Sequence, residues 1–390
     1  MSSGEHDIVL FGATGFTGSL TADYLANHAP TGTKIALAGR NRAKLESVAE
    51  RLARPDLPLL HAAVEDPASL RAVAESARVV ISTVGPYLLY GEPVVAACAA
   101  AGTDYVDLTG EPEFVDLMWL GYQAEAERTG ARLVHCCGFD SIPHDLGTFF
   151  TVQQLPEDVP LRINGYVKVS GIFSGGTYQT AINALARARQ SVRTASERRR
   201  LEARPADRRI KGIVGRPHLD AEAGGWVLPL PTIDPQVVLR SARALTRYGP
   251  DFGYGHYLVQ KRLRTVAALA GGTGAALALA QLPPTRRLLL SFRHAGEGPT
   301  PEQREKSWFR VRFIGEGGGE RVVTEVSGGD PGYGETAKML SESALCLVHD
   351  ELPELSGQLT TAVAMGPPLL ERLQRAGIEF RQTAPSAQAP

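Results

Sequence analysis

Only four cysteines occur in this chain (Cys98, Cys136, Cys137 and Cys346), and no two are spaced as C-x-x-C. That spacing offers neither a disulfide framework nor a zinc-ligand pattern, so no metal site is expected and reduced thiols are the plain reading. Net charge is equally scarce. A formal value of −1 leaves no global field to draw in nucleic acid or an acidic surface. The polar opening Met1–His6 runs straight into an apolar segment, so no signal peptide is expected. Hydrophobic residues make up 43% and charged residues 21% of 390, the balance of an ordinary globular chain long enough for two domains. The expected location is cytoplasmic.

What is present begins at Asp7–Gly18, read as D-I-V-L-F-G-A-T-G-F-T-G. Ile8 to Phe11 read as a buried parallel strand that breaks at Gly12, and Gly15 and Gly18 follow at three-residue steps into a helix (about 15–28). Gly12 permits the tight turn, Gly15 lets a pyrophosphate approach the backbone, and Gly18 lets helix and sheet pack closely. The free N–H groups and positive dipole end of the helix then face the anion. Thr14, Phe16 and Thr17 complete this candidate cofactor loop, and the pattern is expected to bind a dinucleotide.

The end of the second strand (34–38) lacks the acidic residue that would hold the ribose hydroxyls of NAD. Gly39 and Arg40 stand there instead. They leave room for a 2′-phosphate and supply a planar cation to it, so NADP(H) is the expected cofactor. Strand and helix then alternate to a strand at 132–136, with Asp66 falling where the adenine would lie and helices over 43–52, 67–76, 93–101 and 113–129. This predicts an α/β fold with an N-terminal Rossmann-type doubly wound parallel sheet. Ligands sit beyond the carboxyl ends of such strands, so the loops at Gly85-Pro86-Tyr87, Gly110-Glu111 and 138–144 ring one crevice.

From about residue 155 the pattern changes. Residues 161–173 alternate as a half-buried strand, and 309–314 and 321–326 read as a hairpin across 315–319. Residues 177–245 between them read as mostly helical. The expected division is a Rossmann domain over 1–150, an α+β substrate domain with an antiparallel sheet over 151–350, and a disordered tail over 384–390. Residues 355–380, read as a strand (357–365) and a helix (366–376), are taken as a return to the first domain.

Two surface features need a reading. Residues 187–211 hold ten basic side chains against three acids. Such a run is commonly a solvated face, and the functional alternative is a dock for an acidic acyl carrier protein or the phosphates of a coenzyme A arm. Without interleaved aromatics it does not suggest nucleic acid. Residues 265–282 are apolar or small throughout, between Arg262 and Arg264 on one side and Arg286 and Arg287 on the other. Their Ala/Gly composition sits poorly with a membrane span and reads first as a close-packed helix. A surface that touches lipid at the membrane periphery is the alternative.

Together, Gly12–Gly18, Ala38-Gly39-Arg40, Gly85-Pro86-Tyr87, Gly138-Phe139-Asp140-Ser141-Ile142-Pro143, Ser174-Gly175-Gly176-Thr177 and Gly329-Asp330-Pro331-Gly332-Tyr333 resemble the saccharopine-dehydrogenase-like oxidoreductases. Within that group the chain looks most like the actinobacterial trans-acting enoyl reductases. The resemblance implies NADP or NAD in a Rossmann domain and reduction of a carbon–carbon double bond on a carrier-bound acyl chain in polyketide lipid assembly. A homodimer is compatible with it. Short-chain dehydrogenases share the glycine triplet but need a Tyr-x-x-x-Lys pair on a helix beside the nicotinamide. Tyr257 and Lys261 have that spacing far downstream and read as coincidence. Hydride transfer to an unsaturated thioester calls for an acid, and the candidates are Tyr87 and His144, with Asp140, Ser141 and Tyr178 behind them. The rival functions are a dehydrogenase or imine reductase acting on an amino-acid-like substrate, and a non-catalytic NADP-binding scaffold at a lipid surface.

Overall fold

Ile8, Val9 and Leu10 are fully buried, and the strand they form is an interior strand of a seven-stranded sheet in the computed structural model. The structure describes residues 4–171, 182–183, 185–291 and 299–383. Six of the seven strands come from residues 6–134: β1 (His6–Phe11), β2 (Ile35–Gly39), β3 (Leu59–His61), β4 (Ala77–Ser82), β5 (Asp104–Asp107) and β6 (Arg132–Val134). The seventh, β14 (Gly357–Leu359), returns from near the chain end to pair with β6. All pairings are parallel, in the order β14-β6-β5-β4-β1-β2-β3. This is the doubly wound arrangement, and its order reverses at β1, where a ligand crevice opens.

The second sheet has eight strands. They are β7 (Leu161–Ser170), β8 (Arg209–Gly212), β9 (His218–Asp220), β10 (Gly225–Pro229), β11 (Asp251–Gln260), β12 (Trp308–Gly317), β13 (Glu320–Gly328) and β15 (Glu379–Thr383). The path is β15-β13-β12-β7-β11-β10-β9, with β8 against β11. The sheet is mixed rather than antiparallel, because β11 runs parallel to both β7 and β8. Residues 177–245, expected to be mostly helical, contribute three short strands besides the helices Ala188–Leu201 and Asp234–Ala244. The β12–β13 hairpin is longer than expected and closes on Gly318-Gly319, both at positive φ, the backbone that a two-residue turn requires.

The end of the chain divides between the sheets. Residues 357–365 form the short strand β14 and a separate helix (Thr361–Ala364), whereas β15 pairs with β13. Helix Gly334–His349, placed by sequence in the second domain, packs on the first sheet. Tyr24 Oη donates to Glu342 at 2.8 Å, and Arg78 reaches the Val348 carbonyl at 2.9 Å. Twelve of its residues are buried, so its apolar content is spent covering that sheet.

Helix Leu263–Ala280 departs from the expected close packing. Its residues are exposed nearly all round, and a Cβ at Gly271, Gly272 or Gly274 would meet nothing within 4 Å. Residues 172–181, which include Ser174–Thr177 and Tyr178, and the tail 384–390 lie outside the described residues.

Candidate active site

The glycine loop shows which glycines the fold itself needs. Gly12 sits at φ +95°, and a Cβ there would stand 2.6 Å from Thr83 Oγ1. A Cβ on Gly18 would stand 2.1 Å from the Gly12 carbonyl oxygen, an overlap only glycine avoids. Gly15 differs: a Cβ there meets only Gly12 O at 3.4 Å, and the residue is exposed beside exposed Thr14. Packing does not demand glycine at 15, whereas a group approaching from outside would. No side chain caps helix Phe16–His28, so its first N–H groups and dipole remain available to an anion. The residues present therefore fit a dinucleotide pyrophosphate.

Arg40 extends from the end of β2, exposed, and forms no ion pair among the described residues. Asp66 serves the scaffold, its Oδ1 accepting from the backbone N–H groups of Ala68 and Ser69 and so capping helix Pro67–Ser76. Phe16 turns across the crevice to meet the Tyr333 ring edge-on at 4.7 Å, with the Arg304 guanidinium 6.0 Å above it. The loop bearing Asp330 to Tyr333 therefore closes one side of the cofactor loop.

Gly85 and Pro86 lie at the end of β4, and Tyr87 begins the short helix Tyr87–Tyr90. Tyr87 is buried, its hydroxyl donating to the Ser82 carbonyl at 2.9 Å and its ring packed 5.6 Å from Phe114. Burial, with Asp107 nearby, pushes its phenol far above the ordinary value. Glu111 fixes the same turn by accepting from the N–H groups of Tyr87 and Leu88. The phenol proton is thus committed to the scaffold.

His144 lies in a different setting. Its Nδ1 stands 2.8 Å from Asp234 Oδ1, and Nε2 of His256 is 3.5 Å from Asp234 Oδ2. All three side chains are almost wholly enclosed, the two imidazoles edge to face at 4.9 Å. The Tyr254 hydroxyl lies 3.2 Å from His256 Nδ1, and Thr232 donates to Asp234. Burial pushes Asp234 upward, but the two imidazoles outweigh it and hold the carboxyl well below its ordinary range. Burial opposes charge on His144, yet Asp234 prevails and raises it. Burial wins at His256, which is lowered. The cluster thus favours charge on the Asp234 carboxyl and on His144, and disfavours it on His256.

These three side chains offer ligand atoms within 4.8 Å of one another, as a cation site would. The 2.8 Å contact argues for an ion pair instead. Atoms bound tetrahedrally to one ion at about 2.0–2.1 Å stand about 3.3 Å apart.

Asp140 joins this cluster to open space. It lines a pocket of about 90 Å³ with Leu108, Phe139, Val169, Asp330 and Thr336, beyond the carboxyl ends of β5 and β6. Burial first, and the Asp234 carboxylate second, push its carboxyl up to about 7, with His144 pulling the other way. Asp140 is thus the pocket-lining acid that can hold a proton near neutrality. Asp234 and His256 carried no sequence motif: Asp234 opens a helix in the region read as mostly helical, and His256 lies beyond it, on β11. The alternation Phe252, Tyr254, His256 on β11 is the one signal that places His256 on an inward face.

Part of the basic run is consumed within the fold. Arg187 pairs with Glu113 at 2.5 Å, Arg198 with Asp116 at 2.6 Å, and Arg208 donates to four backbone carbonyls. Arg189, Arg193, Arg199, Arg200, Arg204 and Arg209 remain exposed. Tyr257 lies on β11, stacked on Tyr166 at 5.6 Å, not on a helix beside the cofactor loop.

Fold and site define a dinucleotide-dependent oxidoreductase of the Rossmann type. Residues 8–134 match the family described as the saccharopine dehydrogenase NADP-binding domain, so the cofactor is NADP(H). A trans-acting enoyl reductase of Mycobacterium tuberculosis is 36% identical, across 97% of this chain and 98% of its own length. One of Mycobacterium ulcerans is 35% identical over the same shares. The chain belongs to this family of saccharopine-dehydrogenase-like, NADP-dependent oxidoreductases. Its fold is also that of a saccharopine dehydrogenase (L-Glu forming) from Saccharomyces cerevisiae, with a TM-score of 0.55 at 14% identity, covering 97% of this chain and 100% of that one.

Proposed function

We propose that this protein uses NADPH to reduce the carbon–carbon double bond of an unsaturated acyl thioester, carried on an acyl carrier protein or coenzyme A in lipid or polyketide synthesis. When bound, NADPH supplies a hydride to the β-carbon of the acyl group. Gly12 to Gly18 and the uncapped helix end would hold its pyrophosphate, and Arg40 its 2′-phosphate. The electron pair displaced from the double bond must gain a proton at the α-carbon. Asp140, at the pocket wall, is the group placed to give it, with the His144–Asp234 pair positioned behind. Tyr87 holds the β4 loop in place and supplies no proton.

The observation that carries this reading is Asp140 lining the pocket near the His144–Asp234 pair, where burial and the Asp234 carboxylate push its carboxyl up to about 7. The names of the relatives supply the reaction. The exposed arginines on and after helix Ala188–Leu201 suit an acidic carrier protein, and this dock is smaller than the count of basic residues suggests.

The test is single-turnover oxidation of NADPH, against NADH, with an α,β-unsaturated acyl thioester or with a keto acid plus amine. Oxidation of NADPH by the thioester supports the proposal. Turnover with the keto acid and amine alone overturns it in favour of saccharopine-type chemistry.

A further inference from the structure

A helix that is apolar on every side is normally buried in a core or a bilayer. Helix Leu263–Ala280 is neither. Its mean hydropathy is 1.4 over 18 residues, yet only 12% of that stretch is buried. Val266 and Ala280, near its two ends, are buried. With the following helix, Pro283–Ser291, and the turn between them, it carries six of the fifteen large hydrophobic side chains exposed among the described residues: Leu263, Leu269, Leu277, Leu279, Leu282 and Leu288. An apolar surface of this extent calls for a covering partner.

Charge indicates which partner. Lys261, Arg262 and Arg264 precede the apolar stretch and Arg286 and Arg287 follow it, while residues 261–291 contain no acidic residue. None of the five cations is in an ion pair among the described residues. Cations flanking an apolar helix match an interface between acyl chains and anionic headgroups. They also disfavour a second copy of the helix, because antiparallel pairing would set Arg262 and Arg264 against Arg286 and Arg287.

Topology decides how the helix meets lipid. The preceding strand β11 and the following strand β12 both pair with β7, on its two sides, in one sheet. The hairpin therefore leaves and re-enters the same face of the protein. A single crossing would place β11 and β12 on opposite sides of the membrane, which the sheet forbids. The second helix, nine residues and about 14 Å long, is too short to cross back through about 30 Å of hydrocarbon.

We infer that residues 263–291 form a monotopic hairpin that seats this protein on an anionic phospholipid surface, its leucines among the acyl chains and its arginines at the phosphates. This holds whatever the substrate. The hairpin departs from the end of β11, beside the end of β7 whose Val169 lines the pocket.

The experiment is flotation of the full-length protein with vesicles of phosphatidylcholine alone, or with 30 mol% phosphatidylglycerol. The wild type floats with the anionic vesicles, releases in high salt and binds neutral vesicles weakly. Leu269→Glu with Leu277→Glu abolishes flotation while circular dichroism and NADPH affinity stay unchanged, since both positions are exposed. Arg286→Gln with Arg287→Gln lowers partitioning about 25-fold, from about 1 kcal/mol per cation near an anionic surface. Absence of wild-type flotation, or equal flotation of the leucine variant, overturns the inference. So does a concentration-dependent dimer, seen by ultracentrifugation, that the leucine variant loses without any vesicle binding.

Discussion

His144 Nδ1 and Asp234 Oδ1 lie 2.8 Å apart, joining the helix that follows β6 to the helix that begins after β10. The pair ties the first sheet's ligand edge to the second sheet and sets the charge beside Asp140.

Breaking that pair is costly because it strands a buried charge. Asp234→Asn is expected to lower stability by about 3–5 kcal/mol in urea unfolding. The pH dependence follows from the two shifts. Asp234 is held below its ordinary value, so its contribution is complete above about pH 3.9 and lost as pH falls through the lower native value. His144 is held above its ordinary value, so its contribution is complete below about pH 6.5 and lost as pH rises through the higher native value. The gap between wild type and variant should therefore be widest near about pH 5 and narrow on either side.

Asp140→Asn removes the pocket's proton without changing its shape. The reduction rate with an unsaturated thioester should fall by about 10²- to 10⁴-fold, while NADPH affinity stays within about twofold. Wild-type turnover should decline as pH rises through about 7, when the Asp140 carboxyl ionises. A variant retaining that decline would transfer the titration to another group.

Tyr87→Phe deletes a hydroxyl already bonded to the Ser82 carbonyl. Stability should drop by about 1 kcal/mol, and turnover should remain within a few-fold of wild type. A loss of turnover beyond a hundredfold, with the melting temperature unchanged, would restore Tyr87 as the acid.

Two alanine substitutions separate folding from binding in the glycine loop. Gly18→Ala forces a methyl group against the Gly12 backbone oxygen and should lower the melting temperature markedly. Gly15→Ala has room within the protein. It should fold normally and weaken NADPH binding by about tenfold or more, read by fluorescence titration. Equal melting and equal NADPH affinity for Gly15→Ala would show that the pyrophosphate approaches elsewhere.

Arg40→Ala should raise the NADPH dissociation constant by about 10- to 100-fold and leave NADH binding nearly unchanged, because a charge-assisted contact with the 2′-phosphate is lost. Equal effects on both cofactors would place the 2′-phosphate away from this side chain.

The first sheet is legible in the chain alone. Continuous apolar runs such as Ile8–Phe11 can be satisfied only by burial on both faces, and glycines at 12 and 18 sit where a backbone oxygen leaves no space for a side chain. Helices with their own punctuation are legible too, as in Pro67–Ser76 capped by Asp66. β11 is harder to read: Gly253 and Gly255 stand between Phe252, Tyr254 and His256 and weaken its strand propensity, and its strand character comes from partners on both sides, β7 and β8 among them. Likewise, Asp234 and His256 are ordinary residues far along the chain from His144. Only long-range packing could enclose them together, and only that enclosure, by removing water, gives His144, Asp234 and Asp140 the charge states on which the proposed proton transfer depends.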